Sequence, residues 1–174
     1  MIPHAARGAD AFAGRRWFLG GICATLIAVL SLWLISALQR SEAIVERMIV
    51  EQTVQNIRTG LKVGMVEAVI SQRNREIAGW VGENPVHWLA SPPNGYRGEC
   101  GRGEEVGEGV WCFERVSGDL VYRPRHAEGL SLVGSGRSLS VLRWRVVAAK
   151  GIQIDASVAW LRLENVAPYV WVIE

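Results

Sequence analysis

From Trp17 to Leu38 the chain reads WFLGGICATLIAVLSLWLISAL, without one charged side chain. A bilayer's hydrocarbon core is about 30 Å thick and takes ~20 apolar residues of helix to cross. A helix buried in a soluble core rarely runs this far without a charge. The segment 17–38 therefore predicts a transmembrane helix, with Trp17 and Trp33 toward its interfacial ends. Residues 1–16 form a short tail in which Arg7, Arg15 and Arg16 oppose the single acid Asp10. The positive-inside rule puts such a tail in the cytoplasm and everything beyond Arg40 on the far side of the membrane.

A cleaved export signal is the competing reading, because GRRWFL resembles a twin-arginine motif. The apolar run is longer and more hydrophobic than such signals require, and no clean A-x-A site follows it; the best cleavage position would be after Ala37. No proline occurs between Pro3 and Pro85, so the helix is expected to continue as an amphipathic segment over 39–81. Within it Val50, Val54, Ile57, Leu61, Met65 and Ala68 recur at steps of four and three, which is one face of a helix. Glu51, Arg58, Lys62 and Glu67 fall largely off that face. Two readings of the stripe stand side by side. Either it packs on the protein's own head, or it forms a partner interface with a helix of another subunit. Gly60 and Gly64 lie close to it. They either permit close packing or weaken the helix by ~1 kcal/mol each.

Gly79, Gly82 and the Asn84-Pro85 step end the helical pattern. Residues 82–109 read as a connecting loop rich in Gly, Pro and Glu, with one helical turn at VHWLA. Beyond it, 110–174 read as strands. Residues 110–116 and 119–125 flank Ser117-Gly118, which suits a hairpin. Residues 139–148 and 152–164 flank Lys150-Gly151. In the first of these, Val141, Arg143, Arg145 and Val147 alternate with Leu142, Trp144, Val146 and Ala148. In the second, Ile152, Ile154, Ala156 and Val158 alternate with Gln153, Asp155, Ser157 and Ala159. YVWVIE supplies a last strand. The expected fold class is α+β: a long N-terminal helix, transmembrane and then amphipathic, packed on a small antiparallel sheet of four or five strands.

Chemistry-bearing residues are sparse. Cys100 and Cys112 stand twelve positions apart, one in the loop and one on the first strand. In an oxidising compartment they suit a disulfide; two buried thiols or a metal site with His87 or His126 are the alternatives, the last lacking any C-x-x-C or H-x-x-x-H spacing. Cys23 lies in the apolar run as a small apolar residue. Glu99, Glu104, Glu105 and Glu108 gather in the glycine-rich loop, but their spacing does not match a calcium-binding EF-hand, so a solvated acidic loop is the simpler reading. No G-K-[ST] ending marks a phosphate loop. The histidines, His4, His87 and His126, are scattered. No catalytic, cofactor or metal site is expected, and the chain is not read as an enzyme. A net charge of +2 with scattered arginines argues against nucleic acid.

The local words QTVQNIRTGL, ENPVHWLASPPNGYRGE and GVWCFERVSGDLVYRPR are similar to those of type IV pilin-like and pseudopilin-like accessory proteins, most of all those of mannose-sensitive haemagglutinin (MSHA-type) pilus biogenesis. The matching positions are Asn84, Pro85, Pro92, Pro93, Tyr96, Gly98 and Glu99, then Trp111, Phe113, Leu120, Val121, Tyr122 and Arg123. The likeness spans roughly 50–125. Fibre-forming pilins carry Gly followed by Phe-Thr-Leu-Ile-Glu at the start of the apolar run. Here Gly14 is followed by Arg-Arg-Trp-Phe-Leu, and the run has no glutamate. The resemblance therefore implies a non-catalytic accessory held in the bacterial inner membrane by a single pass, with its C-terminal domain in the periplasm. It would assist type IV pilus assembly or a related type II secretion machine. Its partners would be membrane lipid and pilins, pseudopilins or assembly-platform proteins. A periplasmic ligand-sensing or binding module, on a membrane anchor or an export signal, is the alternative from a different class.

Overall fold

The computed structural model describes residues 7–149 and 160–172, with side chains described for 20–36, 41–149 and 160–172. Helix α1, Arg7–Ile70, is 64 residues long. The chain divides into two compact units, Met1–Glu42 and Ala43–Glu174.

In the first unit α1 is apolar enough and long enough to cross a membrane, and it is the one such helix among the described residues. Residues 20–36 are exposed throughout, Leu30, Leu32, Trp33 and Leu34 included.

The second unit is an α+β head. Its part of α1 ends at Ile70, eleven positions before the expected end at Val81, and the closing device is a Schellman turn. The Arg73 N–H donates to the Ala68 carbonyl and the Gln72 N–H to the Val69 carbonyl, at 2.7 and 3.1 Å. Gln72 takes φ 57°, a conformation usually left to glycine. A short helix α2, Asn74–Ile77, and 3-10 turns at Ala78–Trp80 and Pro85–Trp88 follow.

Among the described residues seven strands come next: β1 Tyr96–Cys100, β2 Val110–Glu114, β3 Asp119–Arg123, β4 Leu130–Leu132, β5 Leu142–Ala148, β6 Leu161–Asn165 and β7 Tyr169–Trp171. Five of them form a sheet in the order β1-β2-β3-β5-β6, and β4 pairs with β7 in a separate two-stranded ribbon. Two features differ from a plain antiparallel sheet. The segment expected to be loop contributes β1, which runs parallel to β2 with an irregular register between Tyr96 and Glu99, beside Gly98 at φ 84°. The C-terminal strand leaves the main sheet for β4. The turn expected at Lys150-Gly151 and the alternation from Ile152 to Ala159 lie outside the described residues.

The β5 alternation is as the sequence suggested. Leu142, Trp144 and Val146 are fully buried, whereas Arg143 and Arg145 are only partly covered. The core is a single cluster in which Val50, Val54, Ile57, Leu61, Met65 and Ala68 of α1 meet Trp111, Leu120, Tyr122, Trp144 and Leu163 of the sheet. Trp111 packs on both Tyr122 and Trp144, with ring centroids 4.3 and 5.4 Å away. Such aromatic pairs add to the area they bury.

Candidate functional site

The helix stripe is the first candidate, and its environment corrects the partner-interface reading. Val50, Val54, Ile57, Leu61, Met65 and Ala68 are each no more than 5 % exposed, all inside the head's own core. A second subunit could reach them only by displacing the sheet. The glycines beside the stripe are there for packing. A Cβ on Gly60 would sit 2.0 Å from the Trp88 carbonyl oxygen, and one on Gly64 would touch the Trp88 ring at 3.0 Å.

The cysteines form a disulfide, Cys100–Cys112, with Cα atoms 5.7 Å apart. It fastens the end of β1 to the middle of β2 and closes the glycine-rich loop between them. Such a bond fits an oxidising compartment. Cys23 is free and exposed.

The acidic loop does not converge on a point. Glu99 pairs with Arg115 through both carboxylate oxygens. Glu104 accepts the Gly101 N–H at 2.6 Å. Glu105 and Glu108 both face Arg123, at 3.0 and 3.9 Å. Among the described residues no three His, Cys, Asp or Glu side chains are grouped to hold a metal ion.

Two polar clusters were not visible from spacing. In the first, Glu46 of α1 reaches the chain just after β3. It accepts the Tyr122 hydroxyl at 2.7 Å, the Arg125 and His126 N–H groups at 2.8 and 2.9 Å, and faces His126 Nδ1 at 3.1 Å. Burial alone would raise the Glu46 pKa, but these donors together hold it below the ordinary value. Tyr122 is pushed upward by burial and by its bond to Glu46. The second cluster lies on the sheet face turned away from α1. Glu114 and Asp119, each 3 % exposed, sit directly across β2 and β3. Arg143 bridges them at 2.6 and 3.4 Å, and Arg145 holds Asp119 at 2.7 Å. The Ser117 hydroxyl and then Arg143 keep Glu114 ionised below the usual carboxylate range. Like charges facing each other across strands would destabilise the pair; the two guanidinium groups remove that cost.

Two open clefts, of about 390 and 410 Å³, flank Glu51 and Tyr169. Their mouths are wide, unlike the enclosed apolar pockets that usually hold small ligands.

No protein-family model, curated protein or solved structure matches the chain. Several of the residues quoted for the pilin-like resemblance are neighbours in the head. Asn84 Oδ1 caps the turn at Val86 N–H, 3.1 Å away, and its amide donates to the Tyr96 hydroxyl at 2.8 Å. Glu99 stands opposite Phe113, Phe113 opposite Leu120, and Trp111 opposite Tyr122.

Proposed function

We propose that this chain is a single-pass inner-membrane accessory protein of type IV (MSHA-like) pilus assembly, or of related secretion machinery. Its N-terminus is cytoplasmic and its disulfide-held head is periplasmic. The head acts without catalysis, by contact with pilins, pseudopilins or assembly-platform proteins. One observation supports this reading above the rest. An apolar helical segment leads into a helix whose buried stripe carries a small β-sheet, and the side chains of the pilin-like words make that head's internal contacts. The Cys100–Cys112 bond suits a periplasmic head.

Because the stripe on α1 is consumed by the core, partner contacts fall to the exposed surface. Val116, at the tip of the β2–β3 hairpin, is 73 % exposed, and Val133 is 54 % exposed. A photo-crosslinking residue at either position, in cells, should give adducts with pilins or inner-membrane assembly proteins. Adducts confined to proteins of other machinery, or none at either site, would refute the reading.

A further inference from the structure

The face of α1 turned away from the head's core carries a pattern of its own. Val45, Ile49, Gln52, Asn56, Thr59, Val63, Val66 and Ile70 follow one another at alternating steps of four and three, and every one is exposed. None is charged. The five aliphatic members are between 48 and 78 % exposed. This is a heptad stripe over four repeats, the spacing that lets two helices wind together through successive layers. Ile49, Asn56, Val63 and Ile70 take the a positions; Val45, Gln52, Thr59 and Val66 take d. A single Asn at an a layer fixes register and number of strands.

The flanks point to the occupant. In a parallel pair, each g residue meets the e residue five positions later on the other helix. That sets Lys62 against Glu67, charges of opposite sign. Among the described residues neither side chain has a hydrogen bond or ion pair within its own chain. Only a second copy in the same register places Asn56 against Asn56 and Lys62 against Glu67 together. Two copies anchored by the same N-terminal apolar segment also start parallel and level. The core-facing stripe, Val50 to Ala68, occupies the b, c and f positions, so the sheet does not obstruct the outer face.

We infer that the head is built to pair with a second copy of this chain through a parallel two-stranded coiled coil along Val45–Ile70. This does not depend on the pilus reading. The polar layers at Gln52, Asn56 and Thr59 make the pair weak in dilute solution, and confinement to a membrane raises its effective concentration.

The test uses the full-length chain in native membranes, with Cys23→Ala to remove the free thiol. Single cysteines are introduced as Ile49→Cys, Val63→Cys or Ile70→Cys, with Glu51→Cys and Val116→Cys as controls. Mild oxidation followed by non-reducing electrophoresis should give a band of twice the chain mass at the three a positions, at least tenfold stronger than at the controls. Lys62→Glu, added to Val63→Cys, should cut that band several-fold, and Glu67→Lys in the same chain should restore it. Both side chains are exposed, so unchanged thermal melting of these variants separates loss of pairing from loss of fold. No dimer at the a positions, equal yield at Glu51→Cys, bands to a different protein only, or no rescue by the double exchange would each overturn the inference.

Discussion

Leu61 and Val63 lie two positions apart on one helix and should respond to the same truncation to very different extents. Leu61 is 1 % exposed inside the core; Val63 is 60 % exposed on the outer face. Truncating a buried leucine to alanine removes its transfer free energy and leaves a cavity, at a cost of about 3 kcal/mol. A surface truncation away from any special feature stays within ~0.5 kcal/mol. For a head of this size each kcal/mol moves the melting midpoint by roughly 3–4 °C. Leu61→Ala should therefore lower Tm by about 10 °C, and Val63→Ala by less than ~2 °C. Tryptophan fluorescence of the full-length protein in detergent is a suitable readout, since Trp111 and Trp144 are both in the core. If Leu61→Ala moved Tm by no more than Val63→Ala, the stripe would be no core at all, and the partner-interface reading would regain its ground.

Other substitutions probe separate parts of the head. Gly60→Ala should destabilise it by more than ~1 kcal/mol although alanine is the better helix former, because the new methyl group meets the Trp88 carbonyl; a rise in Tm would contradict the packing described. Cys100→Ser with Cys112→Ser should cost about 2–3 kcal/mol, and an unchanged melt after reduction of the native protein would argue against the bond. Glu46→Gln tests linkage. Because the folded Glu46 pKa lies below its ordinary value of 4.5, its stabilisation is complete above that value and is lost as pH falls through the lower folded one. The Tm gap between native and variant should thus be widest near neutrality and close in acid; a gap independent of pH would remove the charge from the account.

Much of this head can be read from spacing. The stripe from Val50 to Ala68 and the alternation around Trp144 are periodic signals set by burial, and both appear in the fold. What spacing missed has local causes. Gln72 ends α1 in a conformation where glycine is the usual sign, so the helical pattern reads on to Val81. β1 contains Gly98 and follows two prolines, so Tyr96–Cys100 reads as loop; its order comes from Cys112 and Trp111, which are distant in sequence. Glu46 looks like any solvated helix charge, and only the folded chain brings Tyr122 and His126 to it. The buried stripe stands out in the sequence because its residues are all apolar and mostly large. The outer heptad has three polar members in its middle and is recognised once their exposure is known.

The pairing of β4 with β7 governs when the head can fold. Leu130 and Trp171 face each other across that ribbon, and both belong to the core. Arg47, near the start of the head, donates to the Trp171 carbonyl at 2.8 Å. The first helix of the head and its seventh strand therefore complete the same core. A ribosome or a translocation channel that still holds the seventh strand holds back the whole head. The core of the head would therefore close late, only once Tyr169–Trp171 is free to pair with Leu130–Leu132.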